Sequence, residues 1–237
     1  MYYRKFLLFF FLIFLTVDAF SATIVVTSNA DSGPGSLREA LNTAASNGTV
    51  VQDIIQFNLP GALVSDRTIR LKTQLPAVTS NVVIDGTTQP GIVFGVSDAK
   101  VIIEPETSPA YFGCLYVNGD NTYNGITAQN IEIYGLYIRN FAKITNLANY
   151  DGSQGSGIIL QGNISNVIIG APGKGNVISG NIYGIYNNNN YYNTGLSGIL
   201  IQHNFIGVAD DGVTANSNIF GVYIFLNKDA TIGGISP

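Results

Sequence analysis

Gly157-Ile158-Ile159-Leu160, Gly184-Ile185-Tyr186, Gly198-Ile199-Leu200-Ile201 and Gly221-Val222-Tyr223-Ile224 are variants of one short phrase, a glycine followed by β-branched and apolar residues. A second phrase is interleaved with it: Asn166-Val167-Ile168-Ile169-Gly170, Asn176-Val177-Ile178-Ser179-Gly180-Asn181 and Ala230-Thr231-Ile232-Gly233-Gly234. Internal repetition on this scale marks a repeat architecture. From Gly157 to Gly184 is 27 residues and from Gly184 to Gly221 is 37, each span holding two or three strand-length runs separated by turns. That spacing suits one coil of a parallel β-helix, lengthened in the second case by the loop Asp210-Asp211-Gly212-Val213-Thr214-Ala215-Asn216. Helical solenoids are excluded, because no repeat carries an apolar pattern of helical length. Coils stacked about 4.8 Å apart hydrogen-bond each strand to its neighbours and pile alternate Ile and Val side chains into an interior column.

The same grammar runs upstream. Ile54-Ile55-Gln56-Phe57, Thr68-Ile69-Arg70-Leu71, Val82-Val83-Ile84, Val101-Ile102-Ile103 and Ile131-Glu132-Ile133 read as short strands between Gly, Asn and Asp turns. The 237 residues include 27 Gly and 25 Asn, which favour turns over helix interiors. An Asn at a turn tolerates the left-handed conformation and can hydrogen-bond to its counterpart in the next coil, which accounts for the surplus without catalytic chemistry. Charged residues are 11%, well below the roughly 25% of an average soluble protein, while the wealth of Val, Ile and Leu excludes intrinsic disorder. The net charge is −4 and there is no basic block to neutralise phosphates, so nucleic acid is not an expected partner.

One helix is expected. A strand over Thr23 to Thr27 is broken by Asp31-Ser32-Gly33-Pro34-Gly35, and Ser36-Leu37-Arg38-Glu39 then has the form of a capping box, Ser36 accepting from the Glu39 amide while the Glu39 carboxylate reaches back. Leu37, Ala40, Leu41 and Ala44 form one apolar stripe, and Gly48 ends it. A stripe this short with no basic flank reads as a lid over the first coil rather than a membrane or partner contact.

Arg4 and Lys5 precede an unbroken apolar run from Phe6 to Leu15, and Ala19-Phe20-Ser21 supplies the small residues of a cleavage site. Residues 1–21 are therefore expected to be a signal peptide. The run is shorter than the about 20 residues a membrane span needs, so a membrane is involved only if the segment stays uncleaved. Export favours disulfides, yet Cys114 is the sole cysteine and lies in apolar sequence, where it reads as a small buried hydrophobe.

Asp31-Ser32-Gly33-Pro34-Gly35-Ser36-Leu37-Arg38-Glu39-Ala40, then Asp85-Gly86-Thr87-Thr88-Gln89-Pro90-Gly91, then Asn176-Val177-Ile178-Ser179-Gly180-Asn181 together resemble secreted bacterial right-handed parallel β-helix repeat proteins of the pectate lyase-like superfamily. The resemblance covers the whole mature chain and rests on structural motifs that bring no catalytic residue with them. Related chains are much longer and often end in sorting or adhesion modules. Thr231-Ile232-Gly233-Gly234-Ile235-Ser236-Pro237 falls where the family would begin another coil, so the resemblance implies a C-terminally truncated chain.

Some enzymes of that superfamily cleave acidic polysaccharides. The pectate lyases among them hold Ca²⁺ with clustered carboxylates and use an Arg base; here no strand carries an acidic cluster and no metal or cofactor is expected. The polygalacturonases use Asp residues with Gly-His-Gly and Arg-x-Lys segments. Asp210-Asp211 follows the only histidine, His203, in a turn-rich loop with neither segment after it. Sequential residues on a strand point apart, whereas glycosidase carboxylates face each other at about 5–9.5 Å, so this pair reads as solvated loop.

Two outward rows remain as candidates. In Ile131-Glu132-Ile133-Tyr134-Gly135-Leu136-Tyr137-Ile138-Arg139 the alternation sends Glu132, Tyr134, Tyr137 and Arg139 outward. Glu132 and Arg139 are the catalytic candidates there, and Tyr134 and Tyr137 would line a sugar groove; the plainer reading is a surface ion pair beside ordinary strand aromatics. Ile159, Tyr186, Leu200 and Tyr223 occupy equivalent positions in the first phrase. Tyr186 and Tyr223 in that row could stack on a glycan, or the row could pack under a loop such as Asn187 to Asn193. Sequons at Asn47 and Asn163 read as unmodified turn residues.

The sequence thus predicts an all-β right-handed parallel β-helix, with residues 22–48 an N-terminal strand and amphipathic capping helix and 49–237 the coils. The expected function is a noncatalytic, secreted or cell-surface, adhesin-like or structural protein whose partner is an extracellular polysaccharide or surface glycan. The alternative is a polysaccharide lyase or glycoside hydrolase acting on acidic polysaccharide. N-terminal sequencing of the exported chain should begin at Ala22; a product retaining Met1 would contradict cleavage.

Overall fold

Apolar and polar residues alternating over about four positions, cut by Gly and Asn, produce short strands whose edges must pair with the next run of the same kind. The computed structural model describes residues 21–108, 110–119, 128–141, 154–187, 197–225 and 229–233. Among them the chain is predominantly β, with one α-helix and three all-parallel sheets.

The sheets are filled in rotation. Sheet A takes β1 (Thr23–Val26) and β2 (Asp53–Phe57), and sheet B begins with β3 (Thr68–Leu71). Thereafter the order is A, B, C and again A: β4 (Val82–Asp85), β5 (Val101–Pro105), β6 (Leu115–Asn118); then β7 (Ala128–Tyr134), β8 (Leu136–Arg139), β9 (Ile158–Gln161). Two more rounds follow, β10 (Ile164–Ile169), β11 (Val177–Ser179), β12 (Tyr183–Asn187) and β13 (Ser197–Ile201), β14 (Phe205–Ile206), β15 (Phe220–Ile224), before β16 (Ala230–Ile232) returns to sheet A.

Parallel, in-register pairing turns repeated residues into columns. Ile24, Ile55, Ile84, Ile133, Ile169, Ile201 and Ile232 align across sheet A. In sheet B, Ile69, Ile103, Ile138, Ile178 and Ile206 do the same. Most of these isoleucines are fully buried in one continuous core with Leu115, Ile158 and Ile185 of sheet C, and each such side chain contributes about 1.5–3 kcal/mol.

Gly157, Gly184 and Gly221 fall in register across sheet C, as the 27- and 37-residue spacing predicts. A Cβ on Gly157 would lie 2.7 Å from the Gly184 carbonyl oxygen and one on Gly184 2.5 Å from that of Gly221, so at these two positions neighbouring backbone comes too close for a side chain. Gly198, however, belongs to sheet A, at φ +65° and opposite Asn166. The Asn176 run is likewise a strand of sheet B, not the equivalent of the Asn166 run in sheet A. Both phrases encode the same alternation, and only strand pairing separates them.

The asparagines do two jobs. Asn81, Asn130 and Asn166 stack along sheet A with φ of 58°, 56° and 53°; Asn130 Nδ2 donates to Asn81 Oδ1 at 2.8 Å and Asn166 Nδ2 to Asn130 Oδ1 at 3.2 Å. Others, buried or half-buried, instead brace corners of the preceding round. Asn176 donates to the Ile133 carbonyl (2.9 Å) and accepts from the Leu136 amide (3.0 Å), spanning the corner between β7 and β8. Asn204 repeats this on Ile169 and Asn176, Asn181 on Ile138 and Phe141, and Asn218 on Ile178 and Asn181. Sharp corners leave backbone groups that no ladder reaches, and these amides supply the missing donors and acceptors.

The helix α1 (Leu37–Asn47) packs against β1 and β2 and buries Leu37, Ala40, Leu41 and Ala44. The Ser36 hydroxyl accepts from the Glu39 amide at 3.2 Å, and Glu39 Oε2 accepts from the Gly35 amide at 2.5 Å, one residue beyond the cap. Cys114 is fully buried and its thiol pKa is pushed up by burial, consistent with a structural residue. Residues 1–20 of the expected signal peptide lie outside the described residues.

Leu41→Asp should cost about 3–5 kcal/mol, because it sets an unpaired carboxylate in the core. Asn181→Ala should cost about 2–4 kcal/mol by stranding the Ile138 carbonyl and Phe141 amide, whereas Asn166→Gly, exposed and at positive φ, should stay within about 0.5 kcal/mol of wild type. Urea unfolding of the three variants tests the ranking.

Candidate functional site

The stretch Ile131 to Arg139 is two strands, not one. Gly135, at φ +63°, turns the chain from sheet A into sheet B, and a Cβ there would collide with the Gly86-Thr87 backbone. Glu132 and Tyr134 therefore sit on a different sheet from Tyr137 and Arg139. The expected pairing of Glu132 with Arg139 does not form; each has another partner.

On sheet A, Glu132 accepts from the Tyr134 hydroxyl at 2.9 Å. Lys174 Nζ lies 2.7 Å from Asp85 Oδ2 and 5.1 Å from the centre of the Tyr134 ring. Asp85 also accepts from the Thr87 amide at 3.0 Å. Burial, then the hydrogen bond to Glu132 and the charges of Glu132 and Asp85, push the Tyr134 phenol well above its usual range. Tyr134 is buried and its hydroxyl is committed, so it offers little to a sugar.

On sheet B, Glu104 receives Arg70 Nε at 3.0 Å and Arg139 Nε at 2.9 Å, forming an Arg-Glu-Arg row across adjacent strands. Tyr137 points outward as the alternation predicts, yet it is only 4% exposed, packed with Phe94, Ala99, Ile102 and Val177. The long segment between β4 and β5 covers it: Arg67 sits 4.5 Å over the Phe94 ring and donates to the Ile92 carbonyl at 2.6 Å, pinning that segment down. No ring face of Tyr137 is left open for stacking.

Sheet C gathers the aromatics. Tyr116, Ile159, Tyr186 and Tyr223 align as one outward column; Leu200, expected in it, belongs to sheet A opposite Ile168 and Thr231. Tyr186 and Tyr223 stack at 5.6 Å, and Tyr183 stacks on Phe220 at 4.8 Å while touching Tyr186 at 4.5 Å. Phe220 and Tyr223 are 43% and 39% exposed, whereas Tyr186 is 8% exposed and forms the floor. Of the loop Asn187 to Asn193 that could cover them, residues 188–193 lie outside the described residues. Tyr183 and Phe220, which pair across β12 and β15, were not singled out in the sequence, because a strand of period two does not place residue 183 beside 186.

A cleft of about 390 Å³ lies between residues 29–32 and the outer face of sheet B, lined by Asn29, Asp31, Ser32, Arg70, Lys72 and Glu106 among others. Asp31 is held there by Arg38 at 2.7 Å and by the Lys72 amide at 3.1 Å. The outward alternation of Arg70 and Lys72 was visible in the sequence, but not that the Asp31 turn folds across them. Asp210-Asp211 is the solvated turn expected of it: Asp211 accepts from the Val213 and Thr214 amides, and the Thr214 hydroxyl and amide lower its pKa. Asn47 is occupied by hydrogen bonds to Asp53 at 3.2 Å. Among the described residues, no three His, Cys, Asp or Glu side chains are grouped to hold a metal ion.

Burial also raises the phenols of Tyr116 and Tyr183. A tyrosine whose folded pKa lies above its unfolded value stabilises the fold below the unfolded pKa, near 10, and that contribution is lost as pH rises through the folded value. Stability should therefore fall above about pH 10, and an absorbance titration at 295 nm should show Tyr134 ionising after the exposed tyrosines, with Glu132→Gln bringing it earlier. Neither a protein-family model nor a curated protein sequence matches this chain.

Proposed function

We propose that the three sheets are the faces of a right-handed parallel β-helix, and that the protein is an exported, noncatalytic surface or adhesin-like protein that binds glycan on sheet C. Three parallel sheets filled in rotation support the architecture, and parallel crossovers are right-handed in about 98% of cases. The resemblance to secreted β-helix proteins and the basic-apolar-small N-terminus support export.

The stacked group Tyr183, Tyr186, Phe220 and Tyr223 carries the binding reading. Aromatic rings held rigidly by one another present flat apolar faces at little entropic cost, and sugar rings have complementary apolar faces. The exposed rings of Phe220 and Tyr223 supply the contact and Tyr186 sets their tilt.

A lyase or hydrolase acting on acidic polysaccharide is the second reading, favoured by the polar cleft beside the Arg-Glu-Arg row. A lyase base must be free to take a proton from the substrate, yet Arg70 and Arg139 are both engaged by the carboxylate of Glu104. Glu132 already accepts from the Tyr134 hydroxyl.

The exported chain should release neither unsaturated products nor reducing ends from pectin or alginate, with or without Ca²⁺. On a polysaccharide it retains in affinity electrophoresis, Tyr223→Ala and Phe220→Ala should each weaken binding by about 1 kcal/mol, close to fivefold, without loss of folding. Turnover abolished by Glu132→Gln or Arg139→Ala would replace this reading with the enzymatic one.

A further inference from the structure

Among the described residues, sheet B has no strand outside β3. From β1 the chain runs through a turn into α1 and returns to sheet A at β2, so the outer edge of β3 faces that turn instead of another strand. The turn grips the edge at both ends. Asn29 Nδ2 donates to the Ser65 carbonyl at 3.2 Å, and Asp31 Oδ1 accepts from the Lys72 amide at 3.1 Å. Arg38 donates to the Thr73 and Gln74 carbonyls at 2.9 and 2.6 Å. Between these ties, beside Thr68 and Arg70, opens the cleft of about 390 Å³, a size within the about 300–1,000 Å³ of ligand pockets.

The Leu71 carbonyl accepts from the Glu106 amide at 2.8 Å. That bond fixes the alternation of the parallel ladder: Ile69 and Leu71 turn their backbone groups to β5, and Thr68, Arg70 and Lys72 turn theirs away from it. The Thr68 amide donates to the Ser65 carbonyl and the Lys72 amide to Asp31. The Thr68 carbonyl and the Arg70 amide and carbonyl have no hydrogen-bond partner among the described residues. An edge left open in this way is a template for one more strand.

We propose that the cleft binds an extended acidic peptide segment, which joins sheet B as an added strand on β3. Arg38, Arg70, Lys72 and Arg139 around it outnumber Asp31, Glu104 and Glu106, in a chain whose net charge is −4. The Lys72 and Glu106 side chains, 3.8 Å apart and well exposed, hold each other only weakly, which leaves Lys72 free to meet a carboxylate. A second copy of the chain would set Arg70 and Lys72 against their own counterparts. Among the described residues lining the cleft none is aromatic, so a sugar ring finds no face to stack on.

Fluorescence anisotropy of the exported chain with a labelled heptapeptide alternating valine with glutamate or threonine should show saturable binding, about tenfold weaker when lysine replaces the glutamates. N-methylation of that peptide at alternate positions separates strand addition from charge attraction. One set of methyl groups should abolish binding and the other should leave it within about twofold, because only one edge of an added strand meets β3. Arg70→Pro removes an outward amide that an edge strand can forgo; it should weaken binding about tenfold, against about threefold for Arg70→Ala, which keeps the amide. No saturation at millimolar peptide overturns the proposal, as do two N-methylated peptides that behave alike. Binding of oligogalacturonate that Lys72→Glu abolishes, with the peptides unbound, would assign the cleft to a glycan instead.

Discussion

Backbone hydrogen bonding between successive rounds, in exact register, is the constraint on which everything else in this protein depends. A parallel strand one residue out of register would turn every interior isoleucine toward water. The register is held from several directions at once. Columns of Ile24 to Ile232 and Ile69 to Ile206 supply the apolar term. Glycines 157 and 184 admit backbone where no side chain fits, and Asn176, Asn181, Asn204 and Asn218 tie each corner to the round before it. The buried amides are the most specific of these devices, since a slipped corner would leave several polar groups unpaired in the core at once.

That constraint also explains the distribution of surface chemistry. Because equivalent residues stack, any outward position becomes a column with a character of its own. Sheet B carries the Arg70-Glu104-Arg139 row beside an apolar row sealed by Phe94. Sheet C carries rings, and sheet A carries Glu132 among Val83, Ile168 and Leu200. Most carboxylates of the candidate regions already hold a cation or a hydroxyl, whereas the rings of Phe220 and Tyr223 on sheet C keep open contact area.

Much of the fold was legible because its causes are local. The capping box at Ser36, the stripe Leu37 to Ala44, the strand phrases and the burial of Cys114 all follow from residues within about ten positions of one another. The Gly157, Gly184 and Gly221 spacing marked equivalent positions correctly, and at Gly157 and Gly184 backbone contact tolerates nothing larger. The candidate site was less legible. Tyr186 and Tyr223 were placed together by their shared phrase, yet Leu200 was assigned to the same column although strand pairing puts it in another sheet. Glu132 and Arg139 looked like neighbours on one strand until Gly135 turned a corner between them.

The sequence by itself determined that the chain forms short strands with an apolar interior face, one capping helix and asparagine-rich turns, because side-chain alternation, turn preference and capping act over a few residues. Tertiary structure alone decided which outward residues became neighbours. Tyr137 lost its open face to a segment about forty residues upstream, Arg139 found Glu104 rather than Glu132, and Asp31 came to lie across Lys72. Those outcomes depend on where each corner falls and how far each connection reaches over a sheet, and no local preference encodes them.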